Sequence, residues 1–296
     1  MDTYTASTDM LETISRTRDP QFPDSAPISW KEGQGANYTP PAELNRIDIF
    51  RQPLSFLHGN PITKFMVKGL MLASSKSVLS IEGNPDHISS KNDPFIAVLN
   101  HNQRIEAVLI PALLYFYRLG KPIHFMADWN WLLMPGIRLM YRKSGTICIY
   151  RKDIKPKFLN VLKPLYREKE PAFDRALARL KAGSPVGIFP EGTVNRDPDR
   201  LMRGLPGAAQ MAMASGAPIV PMGLSFPNIE AGKPIPDGAS MILHIGEPLP
   251  APELTGEDRI DKRTARDFHA SIMGAVADLC GKTWSPSANK RRRYVV

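Results

Sequence analysis

Cysteine is nearly absent from this chain. Its 296 residues include two, Cys148 and Cys280. They form no close-spaced ligand pair, which argues against a zinc or other metal centre and against a disulfide framework. Two isolated thiols fit a reducing compartment. Cys148, inside the apolar run Thr146–Tyr150, reads as a small core residue. Long apolar runs are missing too. No uninterrupted window reaches the roughly 18–20 residues that span a bilayer, so any membrane is met from one side. The opening residues carry Asp2, Asp9 and Glu12 without an apolar stretch and do not read as a signal peptide. Acid is in short supply: 29 Asp plus Glu against 38 Lys plus Arg leave a formal net charge of +9. A basic surface suits nucleic acid, an anionic membrane face or a phosphorylated substrate. No nucleic-acid module, aromatic platform or basic helix-turn-helix pattern accompanies it, which ranks nucleic acid last. No internal repeat is present.

What the chain does have is alternation. Residues 1–51 are rich in Thr, Ser, Pro and charge and read as a mobile N-terminal arm. Residues 52–283 read as a single α/β domain, and residues 284–296 as a basic tail ending in Lys290-Arg291-Arg292-Arg293. From Ile62, the residues Phe65, Met66, Gly69, Leu70 and Leu72 recur at helical spacing, with Lys64, Lys68 and Lys76 between them. Such a helix covers the core or lies in a membrane interface. Strands are predicted at Ser77–Ile81, Pro94–Leu99, Pro122–Met126, Thr146–Arg151, Val186–Phe189, Ile219–Leu224 and Met241–Ile245. Helices are predicted at Ile105–Leu119, Trp131–Tyr141, Phe173–Ala182, Gly207–Ser215 and Asp258–Cys280, the last opened by Thr255 and Asp258 as a capping box. This order gives an α/β fold with a mostly parallel sheet flanked by helices. Ligands of such sheets bind beyond the carboxyl ends of the strands.

Two polar turns follow such strand ends. The first is Asn100-His101-Asn102-Gln103-Arg104-Ile105-Glu106. A carboxylate that accepts one imidazole N–H fixes the tautomer and leaves the other nitrogen free to take a proton from a hydroxyl. A histidine and a glutamate five residues apart are common, and most such pairs are surface or capping residues. The second turn is Phe189-Pro190-Glu191-Gly192-Thr193. Pro190 stiffens it and Gly192 permits a close backbone approach. Glu191 and Thr193 offer an acceptor and a hydroxyl to a polyol-like substrate, and Arg196 and Arg203 suit a phosphate. On its own the pentapeptide is also compatible with an ordinary helix-entry turn. His124 and His244, within strand-like runs, read as structural; His58, His87 and His269 lack suitable neighbours.

Taken in order, these blocks resemble the glycerolipid acyltransferases, the 1-acylglycerol-3-phosphate and lysophospholipid acyltransferase group. The blocks are Asn100-His101 with a carboxylate after four residues, Gly145…Arg151, Phe189–Thr193, and Val220-Pro221-Met222. The resemblance runs from about Ser77 to Pro248. It implies transfer of a fatty acyl group from acyl-CoA or acyl-carrier protein to a hydroxyl of a lysophospholipid or related lipid, with no metal and no bound cofactor. By similarity His101 is the general base, supported by Glu106. Arg151 takes the place of a phosphate-binding arginine, and Glu191, Gly192 and Thr193 match the acceptor-binding block. Pro221 falls on the acyl-donor side. Three positions depart from the family pattern: Glu106 replaces an aspartate, Gln103 a serine, and Val194 a basic residue. The expected setting is cytoplasmic, peripheral on the inner face of the membrane. The alternatives are a non-catalytic or weakly active lipid-binding protein on the same fold, and an acyltransferase for a non-glycerophosphate acceptor.

Overall fold

Ile96, Ala97, Val98 and Leu99 are apolar on both faces, which suits a strand covered on two sides. The computed structural model describes residues 65, 68–70, 72, 76–118, 120–150, 153, 156–230, 232–253 and 261–288. The expected N-terminal arm, Arg151, the Thr255/Asp258 capping box and the Lys290–Arg293 run lie outside those residues. All four residues of the Ile96–Leu99 strand are buried. It is β2 of a seven-stranded sheet whose other strands are β1 (Val78–Gly83), β3 (His124–Asp128), β4 (Ile147–Ile149), β5 (Val186–Ile188), β6 (Ile219–Ser225) and β7 (Met241–Ile245). The spatial order is β1-β7-β6-β2-β5-β3-β4. Only the β6–β7 pairing is antiparallel; β1–β7 and the four remaining pairings are parallel. All seven predicted strands form, with no end displaced by more than two residues and Met241–Ile245 matched at both ends.

Helices cover both faces. α1 (Glu106–Tyr117), α2 (Pro135–Ser144), α3 (Lys163–Tyr166), α4 (Ala172–Lys181), α5 (Gly207–Ser215) and α6 (Lys262–Cys280) follow in chain order, and the described residues 65, 68–70, 72, 76 and 77 are helical as well, as expected from Ile62 onward. The expected helix at Trp131–Tyr141 divides: a 3-10 turn at Trp129–Leu133 precedes α2, whose first position is Pro135. Proline favours a helix start, because its missing N–H costs nothing there. One face packs Leu109, Leu113 and Phe116 of α1 on Ala97, Leu99, Val220 and Met222. The other packs α5 and α6, through Ala209, Ala212, Ile272 and Val276, on Ile96, Val98 and Ile219. α6 starts at Lys262, later than expected, because Asp261 caps it: its carboxylate accepts the N–H groups of Arg263 at 3.2 Å and Thr264 at 2.9 Å. Gly223 lets α6 sit close, since a Cβ there would lie 2.6 Å from the Leu279 backbone carbon. No helix among the described residues is long and apolar enough to cross a membrane.

Two histidines set aside on sequence tie the fold together. His244 Nε2 lies 2.7 Å from Ser225 Oγ and its Nδ1 lies 3.2 Å from Glu82 Oε2, linking β6, β7 and β1. His124 is buried, and its Nδ1 faces the carbonyl oxygens of Ser144 at 2.9 Å and Gly145 at 3.1 Å. His87 and His269 have neighbours after all: the Gly246 carbonyl at 3.0 Å and the Arg203 carbonyl at 3.1 Å.

Burial first, and the Arg179 charge next, push His124 down to about 4. The unfolded chain therefore binds a proton that the folded chain refuses between about pH 6.5 and 4. The stability tied to His124 is complete above that window and is lost as pH falls through it. At pH 5 the loss is about 2 kcal/mol relative to neutral pH. Urea titrations at pH 7 and pH 5 are expected to show this difference shrink in His124→Gln. An equal difference in both proteins would disprove the assignment.

Candidate active site

β2 and β5 are adjacent and parallel, pairing Ile96–Val98 with Val186–Ile188. Their carboxyl ends therefore deliver the two polar turns to one edge of the sheet. The first turn carries His101 and ends at Glu106, the first residue of α1. His101 Nδ1 lies 3.0 Å from Glu106 Oε2, and Glu106 is fully buried while the imidazole keeps 13% of its side-chain exposure. The same Glu106 oxygen accepts the Asn102 N–H at 2.7 Å. One oxygen thus holds both the ring and the backbone beside it. Nδ1 carries the proton in this arrangement, and Nε2 is the nitrogen left to meet a substrate.

The second turn is fastened to the first. Glu191 Oε1 accepts the His101 N–H at 3.2 Å. Glu191 Oε2 accepts the Asn195 amide at 2.7 Å and the Met202 N–H at 2.8 Å. The Asn195 N–H in turn donates to the His101 carbonyl at 2.7 Å. Burial pushes the Glu191 carboxyl up, against the pull of the Met202 N–H, the Lys282 charge, the His101 N–H and the Asn195 amide. Lys282 comes from the residues just after α6. Its buried ammonium donates to Asn102 Oδ1 and, at 2.7 Å, to the Asp197 carbonyl. Burial pushes Lys282 down, against the attraction of Cys280, Glu191, Glu106 and Asp197. Asn102 Nδ2 and Glu106 Oε1 are buried without a partner among the described residues.

The structure sorts the expected site residues. His101 and Glu106 meet as the spacing suggested. Gly192 turns at φ 63°, where a side chain is strained. Thr193 is half-buried on that same turn. Glu191, expected to bind acceptor, has both oxygens engaged by the protein's own donors, so it fastens the two turns together. Arg196, expected to meet a phosphate, is buried and committed: Nη1 donates to the Ile235 carbonyl and Nη2 pairs with Asp237 Oδ2, both at 2.6 Å. It clamps the β6–β7 loop over this edge. Arg203 is exposed. Pro221, expected on the donor side, is buried inside β6 opposite Val98. Gln103 is buried and holds the loop from the other side, donating to the Ala239 carbonyl at 2.9 Å and accepting the Gly238 N–H at 2.7 Å. Lys282, Asn102 and Asn195 were missed. Asn195 lies two residues beyond the second turn, close enough to have been suspected; nothing local marks Lys282. No cluster of His, Cys, Asp and Glu among the described residues is placed to hold a metal ion.

A cavity lies along α1, the helix that Glu106 opens. His101 stacks on Phe189 with ring centroids 4.5 Å apart, and Phe189 on Phe125 at 5.7 Å. Phe125 fits across β5 because residue 187 is glycine; a Cβ there would lie 2.6 Å from its ring. Phe125 then joins Ala107, Pro111, Tyr115, Leu139 and Met140 in lining a narrow cavity of about 70 Å³. Most of its walls are apolar, the character that hydrocarbon prefers.

A mostly parallel α/β sheet with a histidine–carboxylate pair at its carboxyl edge defines the class of site. An acyltransferase family model matches residues 81–225. A chloroplastic 1-acyl-sn-glycerol-3-phosphate acyltransferase of Brassica napus is 25% identical over 194 residues, 66% of this chain and 45% of its own length. The 1-acyl-sn-glycerol-3-phosphate acyltransferase of Bacillus subtilis (strain 168) is 28% identical over 178 residues, 59% of this chain and 78% of its own. The chain spans less than half the length of the Brassica protein and of a chloroplastic Arabidopsis thaliana relative, of which it covers 40%. The crystal structure of the Thermotoga maritima 1-acyl-sn-glycerophosphate acyltransferase aligns with a TM-score of 0.45 and 20% identity, over 81% of this chain and 89% of that one. Over residues 81–225 the chain is thus similar to the acyltransferases, and the curated relatives it matches there are 1-acyl-sn-glycerol-3-phosphate acyltransferases.

Removing the Glu191 carboxylate would leave three donors unmatched and strip a counter-charge from Lys282. Glu191→Ala is expected to cost about 3 kcal/mol or more in urea unfolding. Glu191→Gln, which keeps one acceptor oxygen, is expected to cost clearly less. Equal costs would mean the acceptor bonds contribute little.

Proposed function

We propose that this chain transfers a fatty acyl group from a thioester, on CoA or a carrier protein, to the free hydroxyl of a monoacylated glycerophosphate or similar lysolipid. The observation that carries the reading is the 3.0 Å contact between His101 Nδ1 and the buried Glu106 carboxylate. It fixes the tautomer that presents a basic Nε2. The hydroxyl oxygen attacks the thioester carbonyl carbon while its proton moves to Nε2. The C–S bond then breaks, and the departing sulfur takes that proton back from the imidazolium. Glu106 holds the ring and faces the charge that forms on it, so tautomer and direction come from one contact. The acceptor class comes from the relatives, which are named for 1-acyl-sn-glycerol 3-phosphate. Support for an acyl donor comes from the mostly apolar cavity that Phe125 lines, two stacked rings away from His101. The process served is phospholipid synthesis.

Glutamate in place of aspartate is matched to the backbone here. The carboxylate reaches both the ring and the Asn102 N–H. A side chain one methylene shorter would fall short by up to about 1.5 Å.

His101→Ala is expected to lower kcat/KM by about 10²–10⁴-fold with the urea midpoint unchanged. Glu106→Asp is expected to lose roughly tenfold or more, because alignment fails on that scale. Thioester-dependent acylation of a panel of lysolipids, followed by mass spectrometry, checks all three proteins. Full turnover by His101→Ala would remove the proposed base. A faster Glu106→Asp enzyme would show that the glutamate is ill-fitted.

A further inference from the structure

Exposed apolar side chains are ordinary when scattered and informative when gathered. Five of the nine large hydrophobic residues exposed among the described residues are Met134, Leu139, Phe158, Val161 and Leu165. Phe158, Val161 and Leu165 are 73, 80 and 78% exposed. They lie on a 3-10 turn, Lys157–Leu162, that runs directly into α3. Residues three apart eclipse in a 3-10 turn, and residues four apart share a face of an α-helix. The three side chains therefore form one stripe. The other side of the segment is docked: the Tyr166 ring lies 6.4 Å from Trp129 and beneath the Arg138 guanidinium at 5.2 Å. Docking on that side holds the stripe outward.

The rim is cationic. Lys157 and Arg167 are exposed beside the stripe, and Arg138 and Arg142 are exposed on α2 around Leu139. The nearby acids Asp153 and Glu168 are taken up by Lys163 at 2.9 Å and Arg175 at 3.7 Å, while Glu170 is exposed. An apolar stripe ringed by basic groups is the pattern that enters a headgroup region and meets lipid phosphates. The cavity and an outer groove share one wall residue. Leu139 lines both that cavity and an outer groove formed with Leu132, Leu133, Arg138, Arg142 and Tyr166.

We infer that this face docks on an anionic phospholipid bilayer. Phe158, Val161 and Leu165 enter the interface, and Lys157, Arg167, Arg138 and Arg142 meet lipid phosphates. The assignment deepens the acyltransferase reading and rests on it for purpose, since it brings the groove that shares Leu139 with the cavity to the lipid that would be used.

The test is sedimentation of the full chain with vesicles of phosphatidylcholine, with and without phosphatidylglycerol. The combined variant Phe158→Ser, Val161→Ser, Leu165→Ser is expected to bind mixed vesicles at least about tenfold more weakly, with unchanged thermal unfolding. Lys157→Glu with Arg167→Glu is expected to lose the preference for anionic over neutral vesicles. Acyl transfer to a monomeric short-chain lysolipid is expected to be equal in all three proteins. No vesicle binding by the native chain overturns the proposal, as does undiminished binding by the serine variant. A native dimer that the serine variant dissociates, without change in vesicle binding, assigns the stripe to a second copy instead. An inactive native chain that still binds vesicles through the stripe refutes the chemistry and leaves the docking face standing.

Discussion

One buried carboxylate sets the geometry of this site. Glu191 joins the turn after β5 to the backbone of His101 in the turn after β2. Ionised carboxylates are expensive to take out of water unless donors surround them. Here the donors come from His101, Asn195 and Met202, and the neighbouring charge from Lys282. Because those groups come from distant parts of the chain, the charge is satisfied only when the fold is complete. The cost of burying Glu191 is thereby converted into a precise placement of the histidine backbone.

Glu106 performs the complementary task. Where Glu191 fixes the backbone of His101, Glu106 fixes its ring. The two carboxylates lie on either side of one residue, and Lys282 feels both. Its positive charge is attracted by both acids and offsets part of the cost of burying them. It arrives from the end of α6, whose close packing depends on Gly223. Helix packing on the far side of the sheet is thus mechanically linked to the polar edge.

Much of this was legible in the chain. Alternating apolar runs and helix periods gave all seven strands, because each run has the length and β-branched content of a buried strand. The His101–Glu106 pair was readable because both partners sit within one short turn. The roles of Glu191, Arg196 and Pro221 were not. Polar residues in a binding-type motif look alike in sequence whether they face substrate or fasten loops; only their partners distinguish them. Arg196 finds Ile235 and Asp237 some forty residues on, and Lys282 finds Asn102 across most of the chain. Such pairings follow from topology, which no local pattern encodes. The Phe158–Leu165 stripe was passed over for a related reason: the segment is short and mixes two helical periods, so neither period alone stands out.

The proposed chemistry places a further demand on the architecture. A long acyl chain loses about 0.8 kcal/mol for each methylene left in water. A route that crossed the polar edge of the sheet would expose the chain at each step. The apolar side wall between α1 and α2 avoids that exposure. The hydroxyl, by contrast, must reach Nε2 at the polar edge. A lipid that carries both parts is therefore best received with its chain in the wall and its head at the rim. The exposed arginines of α2 stand beside that same wall.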